Sequence, residues 1–150
     1  MKGSVLCATL GGVGFIGKAP GTLGTALAAV VLWLLPLGAW GGVALVLLLG
    51  AAAVPISTAA ERELKARDPG SIVIDEALGM AIAVLGLAHE FWPWLLAFLA
   101  FRVFDIIKPW GIDRIQSWPG GLGIVADDAL AGVYASLSVH ALLLIFSLFS

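Results

Sequence analysis

The sequence predicts an all-α protein, a compact bundle of about five helical segments that is integral to a membrane. Hydrophobic residues make up 61% of the 150 residues and charged residues 12%, and the mean hydropathy is +1.06. Soluble domains average about 25% charged residues. No Asp, Glu, Lys or Arg lies between Lys18 and Glu61, and none follows Asp128. Because lipid cannot satisfy backbone N–H and C=O groups, stretches this apolar are expected to be helical.

Five apolar stretches are the predicted helices. They cover residues 22–35, 41–67, 75–87, 92–108 and 127–150. The first stops at Pro36-Leu37-Gly38, and the third and fourth are joined by a turn at Ala88-His89-Glu90. The first and third are shorter than the roughly 20 residues that a membrane span needs. A chain of this length is expected to form one domain, residues 1–150.

The basic residues predict the orientation. If successive helices alternate in direction, all eight Lys and Arg residues fall on one side of the membrane. Positive residues are enriched in cytoplasmic loops. We therefore expect a multi-pass protein whose active-site loops face the cytoplasm.

Several classes of function are disfavoured. The net charge of −2 argues against nucleic acid as a partner. The single cysteine, Cys7, cannot form an intramolecular disulfide. A cysteine phosphatase would need Arg six positions later, where Val13 stands, and the phosphoaspartate route would need an Asp-x-Asp pair, which is absent. His89 and His140 are interpreted as structural, since each is remote from other polar groups. The first residues are read as mature protein rather than a signal peptide, because glycines interrupt a short apolar run.

The first polar segment is Lys18-Ala19-Pro20-Gly21-Thr22. Pro and Gly favour a tight loop, and Thr22 or Thr25 could cap the helix that follows. A helix N-terminus beside a lysine suits an anion. A capped helix with a lysine reaching to the membrane surface explains the segment equally well.

Two further segments place paired acids at predicted helix starts. Asp75-Glu76 follows the turn Arg67-Asp68-Pro69-Gly70, and Asp127-Asp128 follows Gly120-Gly121-Leu122-Gly123. Acids favour helix N-termini for dipole reasons alone. Adjacent carboxylates also suit Mg²⁺, which takes oxygen ligands.

A third set lies on one face of the fourth predicted helix. Arg102, Asp105 and Lys108 are spaced by three residues. Salt bridges that tie helix ends together would be the structural alternative. That alternative does not explain why acids come in pairs at two separate helix starts.

Carboxylates for a divalent cation beside basic groups for phosphate oxygens predict a phosphoryl-transfer or phosphate-hydrolysis site. The expected metal set is Asp75, Glu76, Asp105, Asp127 and Asp128. The expected catalytic residues are Asp127, Asp128, Asp105, Arg102 and Lys108, and the expected phosphate-binding residues are Lys18, Thr22 and Arg67. The division into ligands and general base stays open, as does the choice between one and two metals and between water and an aspartate as the attacking group.

The motifs in this order resemble the phosphatidylglycerophosphatase A family. They are Lys18-Ala19-Pro20-Gly21-Thr22, Ala66-Arg67-Asp68-Pro69 with Ile74-Asp75-Glu76 and Gly79, Phe101-Arg102 with Phe104-Asp105 and Lys108-Pro109, and Gly120-Gly121-Leu122-Gly123 with Asp127-Asp128. The resemblance implies a Mg²⁺-dependent lipid phosphatase of the bacterial inner membrane. It would convert phosphatidylglycerophosphate to phosphatidylglycerol and phosphate in phospholipid biosynthesis. It also implies an all-helical bundle.

Two other functions are considered as alternatives. A CDP-alcohol phosphotransferase is also a Mg²⁺-dependent membrane enzyme, but its Asp-Gly-x-x-Ala-Arg spacing is absent. A non-enzymatic helical membrane protein, such as a transporter, would place its acids along a path through the membrane rather than on one side. The oligomeric state is left open.

Overall fold

The structure is a computed structural model that describes residues 2–35 and 37–149. These residues form seven α-helices and one short 3-10 helix, with no β-strand among them. The elements are α1 (Gly3–Ala8), the 3-10 helix (Val13–Phe15), α2 (Pro20–Leu34), α3 (Ala39–Leu64), α4 (Ile74–Ala83), α5 (Phe91–Ile107), α6 (Ile112–Gln116) and α7 (Gly121–Phe149). The all-α prediction is confirmed.

The number of helices is larger than predicted within the described part of the chain. The five predicted helices correspond to α2, α3, α4, α5 and α7. The additional helices α1 and α6 contain 6 and 5 residues. Such short helices complete fewer than two turns, so they leave no apolar periodicity to detect.

The start of α7 differs most from the prediction. We expected this helix to begin at Asp127, but it begins at Gly121. The backbone N–H of Gly121 donates to Thr58 Oγ1 at 2.9 Å, and a Cβ on Gly121 would collide with the backbone of α3. The glycines that suggested a loop therefore allow close helix packing. Asp127 and Asp128 consequently lie in the second turn of α7, and the prediction that they open a helix is wrong.

The start of α2 also differs from its expected form. The helix begins at Pro20, preceded by Ala19, and no side chain caps it. Thr25 Oγ1 instead donates to the carbonyl of Gly21 at 2.8 Å, one turn back in the same helix. The prediction that Thr22 or Thr25 caps the helix is therefore wrong, because Pro at the first position already suits a helix start.

Helix α4 is the centre of the bundle and packs against α2, α3, α5 and α7. It crosses α7 where Gly79 and Gly132 meet. A Cβ on Gly132 would collide with the Gly79 carbonyl, and a Cβ on Gly79 would collide with the Phe101 ring and lie 2.9 Å from the Asp128 carbonyl oxygen. The two backbones are thus in direct contact, about one turn from the acids of each helix.

Two helices, α3 and α7, are long and apolar enough to cross a membrane. Only 17% and 22% of their most apolar windows are buried inside the protein, whereas a core helix of a soluble protein is mostly buried. Helix α2 is apolar but shorter, and α4 with its 10 residues is about 15 Å long. By length and composition, α3 and α7 are therefore the two described helices that could cross a membrane.

Candidate active site

Three acidic side chains from two helices meet at the crossing of α4 and α7. Asp75 and Glu76 lie in the first turn of α4, and Asp128 lies in the second turn of α7. One oxygen from each of the three carboxylates lies within 4.8 Å of the other two. We call these residues the carboxylate trio.

The oxygen atoms of the carboxylate trio fit a divalent cation. Asp75 Oδ1, Glu76 Oε2 and Asp128 Oδ2 are buried and have no hydrogen-bond partner within the described residues. Buried carboxylate oxygens are costly unless an ion or a hydrogen-bond donor satisfies them. A donor set made only of oxygens is the one that Mg²⁺ prefers. The residues of this site therefore fit Mg²⁺.

The electrostatics of the first turn of α4 agree with this interpretation. Burial raises the pKa of Asp75 well above its usual 3.8, and the charges of Glu76 and Asp128 raise it further. Burial also raises the pKa of Glu76 above 4.5, with a further contribution from Asp105 and an opposing one from Arg102. Without a cation, these carboxyls therefore hold protons more strongly than exposed carboxyls do.

Two basic side chains from α5 and the turn after it border the carboxylate trio. Arg102 Nη1 donates to Asp105 Oδ2 at 2.6 Å, and only 14% and 12% of the two side chains are exposed. Lys108 Nζ contacts the Asp127 carboxylate and lies 3.8 Å from Asp105 Oδ1. Asp105 and Asp127 therefore hold the cationic side chains. Five carboxylates face two cations, which leaves an excess of negative charge for a metal to neutralise.

The position of Lys108 depends on an unusual turn. Lys108 ends α5 with φ 50°, and Trp110 has φ 49°. Both are left-handed conformations that cost roughly 1–2 kcal/mol in residues other than glycine. The Tyr134 hydroxyl donates to the Trp110 carbonyl at 3.3 Å.

Burial lowers the pKa of Lys108, but Asp127 and its acidic neighbours outweigh this and raise it overall.

The first turns of α2 form the opposite wall of the site. A Cβ on Gly21 would collide with Glu76 Oε1 and lie 3.3 Å from both terminal nitrogens of Arg102. Arg102 Nη1 also lies 3.4 Å from Thr25 Oγ1, which is fully buried. The polar segment before and within α2 therefore reaches the site through Gly21 and Thr25.

The structure brings together seven of the ten predicted site residues. These are Asp75, Glu76, Asp105, Asp127, Asp128, Arg102 and Lys108. Lys18 is exposed in the segment before α2, and Thr22 is half-buried in its first turn. Arg67 is exposed, and its Nη2 donates to the Ser117 carbonyl at 3.1 Å. For these three residues no described contact reaches the carboxylate trio.

Sequence reasoning did not identify Gly132, recorded Gly79 only within a family motif, and considered Thr25 only as a possible helix cap. Gly132 lies four residues after Asp128, on the same face of α7. That spacing from an acid inside an apolar helix is the signal that could have identified it. Thr25 follows Gly21 by four residues, so the same spacing would have placed its hydroxyl over the Gly21 carbonyl.

Comparison with known proteins gives a consistent family relationship. The sequence profile of the family described as "Phosphatidylglycerophosphatase A" matches residues 6–143. "Phosphatidylglycerophosphatase A" of Escherichia coli is 38% identical over 121 residues, which cover 78% of this chain and 70% of the relative. The protein of the same name from Haemophilus influenzae is 38% identical over 139 residues, covering 87% and 83%.

A third relative has a different name. A Bacteroides thetaiotaomicron protein named "Putative phosphatidylinositol-3-phosphatase" is 38% identical over 144 residues, covering 90% of each chain. No solved structure matches this chain. The relatives are named for the removal of a phosphate from a lipid headgroup, and they differ in the headgroup.

Proposed function

The chain belongs to the phosphatidylglycerophosphatase A family, and on that premise we propose that it removes the terminal phosphate of phosphatidylglycerophosphate with the help of Mg²⁺. The products are phosphatidylglycerol and inorganic phosphate, so the enzyme is a phosphoric monoester hydrolase of phospholipid biosynthesis. The observation that carries the metal requirement is the carboxylate trio, whose buried oxygens without partners lie beside two cationic side chains.

The residues around the trio have separate tasks. Asp75, Glu76 and Asp128 would hold Mg²⁺, which would supply Lewis-acid neutralisation of negative charge. Arg102 has a buried Nε without a partner in the described chain, so it can donate to a phosphate oxygen while Asp105 holds its Nη1. Lys108 supplies a second positive charge and is oriented by Asp127.

The reaction is a substitution at phosphorus. A water oxygen forms a new P–O bond, the ester P–O bond breaks, and the glycerol oxygen of the lipid gains a proton. Arg102 and Lys108 stabilise the charge that develops on the phosphoryl oxygens, which is the main contribution that proteins make to phosphoryl transfer.

The same proposal places the protein in the bacterial inner membrane as a multi-pass protein with its site facing the cytoplasm. The contacts of Gly21 with Glu76 and of Gly121 with Thr58 bring the starts of α2, α4 and α7 to one end of the bundle. The connections at the opposite end, residues 35, 37–38 and 84–90, contain no Lys or Arg. This distribution supports a cytoplasmic site.

The experiment is phosphate release by the detergent-purified protein, with Mg²⁺ and with a chelator. Phosphatidylglycerophosphate, phosphatidylinositol 3-phosphate and phosphatidic acid are compared as substrates. We expect Mg²⁺-dependent release from phosphatidylglycerophosphate and little from the other two. Equal rates with chelator would contradict the metal proposal. Preference for phosphatidylinositol 3-phosphate would transfer the assignment to that headgroup.

A further inference from the structure

An exposed apolar stripe runs along α5 beside the proposed phosphate-binding residues. Leu99, Val103 and Ile106 have 50%, 51% and 68% of their surface exposed, and Trp110, just beyond the helix, has 79%. At 100° per residue the three helical positions fall within a sector of about 60°. We call Leu99, Val103, Ile106 and Trp110 the α5 stripe.

The α5 stripe adjoins the site on the helix surface. By the same helical geometry Arg102 lies about 40° around the helix from Ile106, and Asp105 about 100°. The buried face of α5, with Ala97 and Phe101, lies on the opposite side. The charged residues therefore occupy the border between the core and the α5 stripe.

We propose that the α5 stripe binds the acyl chains of the lipid whose phosphate is held by Arg102 and Lys108. This inference rests on the proposed function. Phosphate and acyl chains are parts of one molecule, so an apolar surface that continues directly from the phosphate-binding residues is the surface that the chains meet first. The lipid enters sideways from the bilayer, and its headgroup reaches the site over the end of α5.

Helix α3 also has exposed leucines, but they lie far from charged residues, unlike those of the α5 stripe. Leu47 and Leu48 of α3 are as exposed, at 68% and 69%. No charged residue lies within two turns of them in α3. The surface of these two leucines can contact lipid, but it does not adjoin a residue that we propose binds phosphate. Leu47 therefore provides a matched control position for Ile106.

The experiment measures kcat/KM on dioleoyl and on dihexanoyl phosphatidylglycerophosphate for the wild type, Ile106→Gln and Leu47→Gln. Burial of an isoleucine against acyl chain is favourable and that of a glutamine is not. We expect Ile106→Gln to lose about tenfold in kcat/KM on the dioleoyl lipid and less than about twofold on the dihexanoyl lipid. Leu47→Gln should change neither value by more than about twofold.

Other outcomes overturn the inference. An equal loss on both lipids would mean that Ile106 acts on the site itself, and no loss on either would mean that the chains lie elsewhere. A third outcome is a wild type that is dimeric in detergent and an Ile106→Gln variant that is monomeric, with the same chain-length preference. That result would assign the α5 stripe to contact with a second copy of this chain.

A second measurement does not depend on activity. Phosphatidylglycerophosphate with a diazirine on its acyl chain is photo-crosslinked, in the presence of chelator, to the wild type and to Ile106→Gln, and the labelled peptides are identified by mass spectrometry. Labelling of α5 in the wild type that falls at least about threefold in Ile106→Gln supports the α5 stripe. Labelling of α3 alone overturns it. If the wild type cleaves neither lipid, the proposed function fails, and this measurement still decides the inference.

Discussion

Asp127 illustrates how a single carboxylate can support the candidate site without being part of the carboxylate trio. Its side chain is only 3% exposed and contacts the Lys108 ammonium, and its Oδ1 accepts the backbone N–H of Asp128 at 3.0 Å. Asp127 therefore fixes both a cationic side chain and the adjacent member of the carboxylate trio.

We expect Asp127→Asn to reduce kcat by at least about 100-fold, because an amide cannot neutralise and orient the Lys108 ammonium. The measurement is phosphate release by the purified variant at saturating lipid. Asp113→Asn is the matched control, since Asp113 is exposed on α6 away from the carboxylate trio. Near-normal turnover of Asp127→Asn would remove this residue from the site.

The Thr25 hydroxyl supports Arg102 from α2. It donates to the Gly21 carbonyl and can accept from Arg102. We expect Thr25→Val, which keeps the shape and removes the hydroxyl, to lower kcat about tenfold, since a buried donor on Arg102 loses its acceptor. Thr25→Ser should retain most of the activity. Equal losses in both variants would show that packing, and not the hydrogen bond, is responsible.

At the scale of elements, the crossing of α4 and α7 sets the spacing of the carboxylate trio. The backbones touch at Gly79 and Gly132, so one added methyl group must separate the helices. We expect Gly132→Ala to lower the free energy of unfolding by about 2 kcal/mol, the cost of overpacking a tight contact. Thermal unfolding in detergent measures the effect.

Gly50→Ala is the control for this prediction. Gly50 also lies in an apolar helix, but a Cβ there would meet only methyl groups of Leu78 at 3.8 and 4.0 Å, which is ordinary contact. Alanine favours a helix over glycine by about 1 kcal/mol, so Gly50→Ala should be neutral or stabilising. Equal destabilisation of both variants would contradict the role given to the crossing.

The elements that sequence reasoning located well are those with local signals. Helix α5 was predicted at 92–108 and found at Phe91–Ile107, because an apolar run ends before Pro109. Only the start of α7 was predicted wrongly, because Gly121 and Gly123 favour a loop locally. Their contacts with α3 and with the turn between α6 and α7 explain why they are helical. The acids of the site were identifiable because charges are rare in this chain. Their division into the trio and the two that hold basic residues depends on which helix faces meet, and the sequence does not specify this locally.

For the whole molecule, the raised pKa values of Asp75 and Glu76 make stability depend on pH. Each carboxyl keeps its proton in the folded protein at pH values where the unfolded chain has lost it. The stabilisation that comes from these two protonated carboxyls is therefore fully present below the usual pKa values of 3.8 and 4.5. It is lost as the pH rises through the raised pKa values of the folded protein. A bound cation replaces the proton and opposes the loss.

We expect the Tm of the chelator-treated protein to fall as the pH rises above the usual carboxyl pKa values of 3.8 and 4.5, and Mg²⁺ to restore more of it at the higher pH. Differential scanning fluorimetry measures both effects. Asp75→Asn, which removes one titrating carboxyl, should show a smaller fall. A Tm that rises with pH in the absence of metal would contradict the assignment.

The orientation of the whole molecule can be tested with cysteines. In a Cys7→Ser background, Glu90→Cys reports on the turn before α5 and Asp113→Cys on α6, and both positions are exposed. A membrane-impermeant maleimide applied to intact cells, with the outer membrane permeabilised where one is present, should label Glu90→Cys alone, because the proposed orientation puts the basic end of the bundle in the cytoplasm. Labelling of Asp113→Cys alone would invert the orientation.

The contact between Gly79 and Gly132 also determines how this sequence can change over time. Leucine, isoleucine, valine and phenylalanine on the exposed apolar surfaces can replace one another with little effect, because no close-packed neighbour fixes their shape. The two glycines have no such freedom, since every other residue adds atoms where backbone already lies. Mutational drift in this protein is therefore expected to be wide over its outer surface and close to zero at the crossing, where two residues without side chains hold the acids at their working distance.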